Sequence, residues 1–132
     1  MTDKDKLPGE PVIRSVLQER EARLQSILET APDAIIVIDD RGVIESYSSA
    51  AQRLFGFTAE EAIGRNVSIL MPSPYRERHD SYLRHYLDTG ERRIIGIGRI
   101  VVGQRKDGTT FPMELAVGEV VANGRRLFTG FI

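Results

Sequence analysis

Residues 34–48 read AIIVIDDRGVIESYS, and this stretch decides the fold of the chain. Its first part is a short apolar run rich in β-branched side chains, which is typical of a central strand. Asp40-Arg41-Gly42 is a turn signal, and the residues after it alternate between apolar and polar side chains. The stretch therefore predicts a β-hairpin with strands over residues 34–39 and 43–48.

The segments that follow the hairpin have helical patterns. Short helices are predicted over residues 49–55, 58–64 and 67–71, and the second opens on a capping box formed by Thr58 and Glu61. The longest helix of the body is predicted over Tyr75 to Thr89, with Gly90 as its end.

The last third of the chain predicts strands. Strand-like stretches cover residues 92–97, 99–105 and 110–121, and a last strand covers residues 126–132. Turns are expected at Lys106-Asp107-Gly108 and at Asn123-Gly124. Two strands, several helices and then a group of strands predict the α+β class, with an antiparallel sheet and helices on one face.

The N-terminal residues predict a charged amphipathic helix over about residues 10–30. Its apolar stripe has a four-then-three spacing, which Arg20 interrupts, and is formed by Ile13, Leu17, Leu24 and Ile27. The stripe could pack on its own domain or against the same helix of a second chain, and its charged flanks favour the second interpretation. We therefore divide the chain into a helical leader, residues 1–26, and a body, residues 27–132.

The composition excludes several classes of function. The chain has 132 residues, 41% hydrophobic and 28% charged, and a net charge of −1, so it is one domain without a basic field for nucleic acid. It has no apolar run long enough to span a bilayer, and its polar start is no signal peptide. We expect a cytoplasmic domain that contacts neither membranes nor nucleic acid.

The chain has no cysteine and two histidines. The lack of cysteine excludes disulfides, iron–sulfur clusters, thiol nucleophiles and a cysteinyl–flavin adduct. The glycines at 96, 98 and 103 precede strand-like residues rather than a helix, so they are no dinucleotide motif. No serine has the histidine and carboxylate pattern of acyl transfer. We predict no enzymatic activity for this segment.

The long predicted helix distinguishes the two histidines. At about 100° per residue, four bulky residues fall within roughly 60° of His79: Tyr75, Tyr82, Leu83 and Tyr86. His85 lies towards the polar face, and Asp80 is expected to face away from His79. An inward histidine on this face is either a core residue or a ligand to a cofactor, and the pattern alone leaves both interpretations open.

Five stretches together resemble the haem-binding PAS domain of the FixL oxygen sensors. They are ILMP at 69–72, RHDSY at 78–82, IIGIGRIV at 94–101, GQRKDGTTFPM at 103–113 and FTGF at 128–131. APDA at 31–34 and the GF…E…IG pattern at 56–64 resemble PAS domains in general. The resemblance covers roughly residues 24–132 and implies the PAS fold, a five-stranded antiparallel sheet with helices on one face.

This resemblance implies a role for each matching residue. His79 would be the axial ligand of haem b iron, with the opposite face open to O2, CO or NO. Arg99 would contact a haem propionate and swing towards bound oxygen. The remaining cofactor contacts are the distal walls Ile94, Leu115 and Val117, the propionate neighbours Arg93 and His85, and Tyr82 and Met113. His85 departs from the family, which tends to have arginine at that position.

The resemblance further implies the oxygen-sensing domain of a two-component histidine kinase. Oxygen would shift Arg99 and the loop at residues 94–98 and thereby inhibit a kinase that is absent from this sequence. The partners would be a second copy of the chain and, through the kinase, a response regulator. Two alternatives remain: a cofactor-free PAS module for dimerisation or protein interaction, and a flavin-binding redox sensor.

Overall fold

The structure, a computed structural model, describes residues 10–89 and 99–132, and these form a five-stranded antiparallel sheet with helices. The elements are α1 (Glu10–Thr30), β1 (Ile35–Ile38), β2 (Ile44–Tyr47), α2 (Ser49–Phe55), α3 (Ala59–Ala62), a 3₁₀ helix (Val67–Leu70), α4 (Tyr75–Thr89), β3 (Arg99–Gln104), β4 (Thr110–Ala122) and β5 (Arg125–Phe131). The predicted α+β class is confirmed. The strand predicted over residues 92–97 lies outside the described residues.

The strands lie in the order β2-β1-β5-β4-β3, so the last strand of the chain is at the centre of the sheet. Along β5, Phe131 is opposite Ile35 on one side and Ala116 on the other. We call β1, β2, α2 and α3 the packed half of the molecule, and β3, β4 and α4 the open half. The strand β5 joins the two halves.

The hairpin forms as predicted, with strands slightly shorter than expected. The Asp39 carboxylate accepts hydrogen bonds from the backbone N–H groups of Arg41, at 2.8 Å, and Val43, at 2.9 Å. Gly42 has a φ of +84°, a conformation that side chains with a Cβ disfavour. The turn is therefore stabilised by Asp39 and Gly42, which lie in the stretch of sequence from which the hairpin is predicted.

Ser48 joins the hairpin to the helices. It is fully buried, and its Oγ accepts hydrogen bonds from Ala51 N at 3.2 Å and from Ile35 N at 2.9 Å. Ser48 thus caps α2 and satisfies a backbone donor of β1 with one atom. The predicted capping box of α3 is also present, with Thr58 and Glu61 bonding each other's backbone N–H groups.

The hydrophobic core lies in the packed half. Phe55 and Ile44 are at most 1% exposed. The buried cluster consists of Ala34, Ile36, Ile44, Tyr47, Ala50, Ala51, Phe55, Ala62 and Leu70. This cluster fills the space between the hairpin and the short helices.

The N-terminal helix α1 leaves its apolar stripe exposed within the described part of the chain. It runs without a break across residues 26 and 27 and contacts α2. The exposed apolar residues are Val12, Ile13, Val16, Leu17, Leu24 and Ile27. Among the described residues, neither α1 nor any other helix is both long and apolar enough to cross a membrane.

Candidate cofactor-binding cavity

A cavity of about 480 Å³ lies between α4 and the sheet. The predicted bounds of α4, Tyr75 to Thr89, are confirmed, yet none of its residues is fully buried. The reason is that the inner face of α4 borders this cavity instead of packed side chains. The volume is within the range of about 300–1,000 Å³ that is typical of ligand pockets.

The walls of the cavity are mainly apolar. All five residues of the predicted inward face of α4 line it: Tyr75, His79, Tyr82, Leu83 and Tyr86. The strands contribute Ile36, Ile38, Arg99, Ile100, Val101, Val102, Met113, Leu115, Val117, Phe128 and Gly130, and the rest of the wall is Phe55, Val67, Leu70, Met71 and Ile132. The helix thus presents one imidazole to a hydrophobic space.

The imidazole of His79 is largely shielded from solvent, with 23% of its side chain exposed. Its Nδ1 is buried and has no hydrogen-bond partner among the described residues. Burial lowers the pKa of His79, and the nearby charge of Asp80 only partly opposes this effect. The ring is therefore neutral at pH 7, which is the form that binds metals.

Asp80 does not face away from His79, so that expectation was wrong. Its Oδ1 lies 3.9 Å from His79 Nδ1, too far for a hydrogen bond but within the range of an ionic contact. The carboxylate is held there because Asn66 Nδ2 donates a hydrogen bond to it at 3.0 Å. Gly42 leaves room for it, since a Cβ at that position would lie 3.2 Å from Oδ1.

The strand β4 presents one row of side chains to the cavity. Met113, Leu115 and Val117 are two residues apart and line the same wall, as the period of a strand requires. Arg99, the first residue of β3, is opposite Leu115 in the antiparallel pair. Arg99 lines the cavity and is also exposed, so it lies at the rim.

The other predicted site residues differ in their position relative to the cavity. Tyr82 lines the cavity and is 40% exposed. His85 is half-buried and is not among the residues that line the cavity. Arg93 and Ile94 lie outside the described residues. The prediction that these four residues contact a cofactor stays a prediction.

Sequence reasoning missed the contributions of β1, β5 and the chain's last residue. Ile36, Ile38, Phe128 and Ile132 all line the cavity. The alternation of side chains along β1 was a usable signal, but only the sheet order shows that β1 and β5 face the same space as β4. Phe128 also packs edge-on against Tyr86, with ring centroids 5.8 Å apart.

The arrangement fits a flat, apolar cofactor that carries its own metal. Within residues 10–89 and 99–132, no three His, Asp or Glu side chains are grouped as metal ligands. A single neutral imidazole in an apolar cavity suits a porphyrin-held iron, which needs few ligands from the protein. The buried, unpartnered Nδ1 of His79 is the observation that sets this histidine apart from an ordinary core residue.

A five-stranded antiparallel sheet with a helix over a cavity defines a class of small α+β ligand-binding folds. The chain belongs to the PAS family, because the family model described as the PAS fold matches residues 22–132. The PAS domain of an HTR-like protein from Haloarcula marismortui has the same fold, with a TM-score of 0.71. That likeness covers 92% of this chain and 97% of that domain at 22% identity, and it shows the fold alone.

Two sensor proteins are similar to this chain in sequence. The sensor protein FixL of Bradyrhizobium diazoefficiens is 56% identical over 123 residues, which are 93% of this chain and 24% of FixL. The oxygen sensor protein DosP of Escherichia coli is 29% identical over 97 residues, which are 74% of this chain and 12% of DosP. The chain thus spans about a quarter or less of these two proteins. The FixL-like PAS domain predicted from the sequence is confirmed.

Proposed function

We propose that this PAS domain binds haem b through His79 and acts as the oxygen-sensing domain of a two-component histidine kinase. The observation that carries the proposal is the neutral, largely buried imidazole of His79 at the wall of an apolar cavity. The similarity to FixL and DosP supports it. When bound, haem supplies an iron whose open position takes O2, CO or NO.

The helix α4 holds the imidazole in place. Tyr82 and Leu83 lie beside His79 on the inner face, and Tyr75 lies one turn before it. Asp80 fixes a negative charge near Nδ1, which favours the tautomer with its proton on that nitrogen. The other nitrogen, Nε2, is then the one left free to bind a metal.

The β4 wall contributes apolar side chains to this space. Met113, Leu115 and Val117 have no acidic or basic group. A wall of this kind favours reversible ligand binding over acid–base chemistry at the ligand. We assign Ile94 to the same wall on the basis of the FixL resemblance.

Arg99 supplies the charged donor at the rim of the cavity. A guanidinium can donate to a carboxylate or to a polar ligand with similar geometry, so it can exchange one acceptor for another. We propose that Arg99 makes this exchange in response to oxygen and that Arg93 and His85 hold the acidic edge of the haem. The loop at residues 94–98 would move with Arg99, since Gly96 and Gly98 restrict backbone rotation little.

The kinase activity that oxygen would control is proposed for the whole sensor protein and not for this PAS domain. We propose a sensor kinase that oxygen inhibits and that phosphorylates a response regulator. The exposed apolar stripe of α1, in the helical leader assigned to residues 1–26, would pair with the same stripe of a second copy, while residues 27–132 form the sensor body.

An absorption spectrum tests the cofactor. The protein supplied with haem should show a Soret band, and His79→Ala should lose the band of the coordinated form. Arg84→Ala is the matched control, because Arg84 is on the same helix, is exposed and does not line the cavity. Unchanged coordination in His79→Ala would overturn the assignment, and flavin bands in place of a Soret band would favour the redox sensor.

A second candidate function, a cofactor-free dimerisation module, is favoured by the exposed stripe of α1 alone. Sedimentation of the haem-free protein with and without residues 1–26 separates the two functions. A dimer that depends on these residues, in a protein that never binds haem, would support this module over the oxygen sensor.

A further inference from the structure

The C-terminal end of α4 is tied to the sheet by three polar side chains, which we call the tyrosine clamp: Tyr86, Glu119 and Arg126. The Tyr86 hydroxyl donates to both carboxylate oxygens of Glu119, each at 3.1 Å. Arg126 donates to the same carboxylate from Nη2 at 2.6 Å and from Nε at 3.1 Å. Its guanidinium also lies over the Tyr86 ring, 5.4 Å from the centroid.

Glu119 continues the cavity-facing row of β4. It follows Val117 by two residues, so it points to the same side of the strand as the apolar wall. A carboxylate on this face is unusual, and it is partly shielded, with 20% of its side chain exposed. Hydrogen bonds to a partly buried, charged acceptor are stronger than those between exposed groups.

A second tie holds the other end of α4. Arg76 Nη2 donates to Gln104 Oε1 on β3 at 3.0 Å, and Arg76 Nε donates to the Met71 carbonyl at 3.0 Å. His79 lies between the two ties, on the face that borders the cavity. Since little packing lies between α4 and the sheet at this level, these two ties and the hydrogen bond from Asn66 to Asp80 fix where the helix sits.

We infer that Tyr86 and Glu119 are positioning residues that fix α4 over the cavity and thereby set the place of His79 and the rate at which a bound cofactor escapes. The inference rests on the proposed haem function for its effect on the cofactor. Arg126 has a supporting part, because it holds the carboxylate of Glu119 in the orientation that Tyr86 needs.

The rate of haem loss to an excess of a haem-scavenging apomyoglobin tests this inference on the haem-loaded protein. Tyr86→Phe removes only the hydroxyl and should accelerate haem loss about tenfold, the factor expected for one hydrogen bond to a charged group. Glu119→Gln keeps the shape and one acceptor and should accelerate it about threefold. Glu114→Gln, on the outward face of the same strand, should have no effect.

Two further measurements distinguish a positioning role from general destabilisation. The variant with both Tyr86→Phe and Glu119→Gln should lose haem no faster than Tyr86→Phe alone, because the two residues act through one contact. The iron–histidine vibration in the resonance Raman spectrum should shift in Tyr86→Phe and not in Glu114→Gln. Multiplied effects in the double variant, or wild-type haem loss in Tyr86→Phe, would overturn the inference.

Hydrogen exchange of the haem-free protein tests whether the tyrosine clamp holds α4 in place, independently of haem binding. Amides of α4 should exchange faster in Tyr86→Phe than in the wild type, whereas amides of β1 should not change. If the wild type bound no haem but α4 loosened in this way, the proposed function would fail and the clamp would stand. If α4 exchanged at the wild-type rate, the clamp would be wrong.

Discussion

The two halves of the sheet are covered by helices in different ways. In the packed half, α2 lies directly on the hairpin, and Phe55 and Ala51 are completely buried. In the open half, α4 faces β3 and β4 across a cavity and has no fully buried residue. The packed half is thus stabilised by its own side chains, whereas the open half presents apolar surface that a ligand can cover.

The largest expected contrast comes from truncating one large apolar residue in each half. Ile44→Ala should lower the free energy of unfolding by about 2–5 kcal/mol, because Ile44 is 1% exposed, does not line the cavity, and leaves a void that a packed core cannot fill. Leu83→Ala should cost less than about 1 kcal/mol in the haem-free protein, because its side chain already borders empty space. Urea denaturation measures both variants, and equal losses would show that the halves are packed alike.

Haem itself should stabilise the open half. At a haem concentration of about 100 times the dissociation constant, the gain in unfolding free energy is about 2.7 kcal/mol. Hydrogen exchange should slow most in α4, β3 and β4 and least in β2. His79→Ala should lose this protection, and equal protection of both halves would contradict the proposed place of the cofactor.

The buried hydroxyl of Ser48 makes the packed half sensitive to a small polar change. Ser48→Ala should destabilise the protein by about 1–2 kcal/mol, because it removes a helix cap and leaves the Ile35 N–H without its acceptor. Ser49→Ala, at the next position, is the control and should change the unfolding free energy by less than half as much. Thermal unfolding that did not separate these two variants would show that the cap contributes little.

The smallest effect is a pH dependence at the edge of the packed half. The hydrogen bond from Lys106, together with that from the Thr58 backbone N–H, lowers the pKa of Glu61 to about 2. A depressed carboxyl pKa adds stability above the unfolded value of about 4.3, and this part is lost as the pH falls towards 2. Glu61→Gln should flatten the stability profile in this window while its amide retains the capping box.

The control for this pH effect is Glu60→Gln, one residue earlier in the same turn. Denaturation midpoints between pH 2 and pH 5 should keep the wild-type slope in Glu60→Gln. An equal loss of slope in both variants would mean that the slope reports the general negative charge of this turn and not the contact with Lys106.

Local signals in the sequence were sufficient to predict most of the packed half and the length of α4. The turn residues around Gly42, the capping box at Thr58 and the aromatic face of α4 each act over a few neighbouring residues. The inward direction of His79 follows from the same helical period. For this reason the hairpin, the short helices and the histidine-bearing face could be predicted before the structure was known.

The tertiary partners of these elements could not be predicted. Tyr86 and Glu119 are 33 residues apart, and only the register of β4 against β5 brings Arg126 to the same carboxylate. The position of Asp80 beside His79 depends on a hydrogen bond from Asn66, 14 residues earlier. The periodicity of the sequence shows which way a side chain points, but it does not show which residues that side chain contacts.

The central position of β5 has a mechanical consequence. Through its backbone it is bonded to β1 on one edge and β4 on the other, and through Arg126 and Phe128 it touches the end of α4. A change in the position of α4 therefore reaches the one strand that borders both parts of the sheet. We expect β5 to pass part of such a change on to the hairpin through its backbone hydrogen bonds with β1.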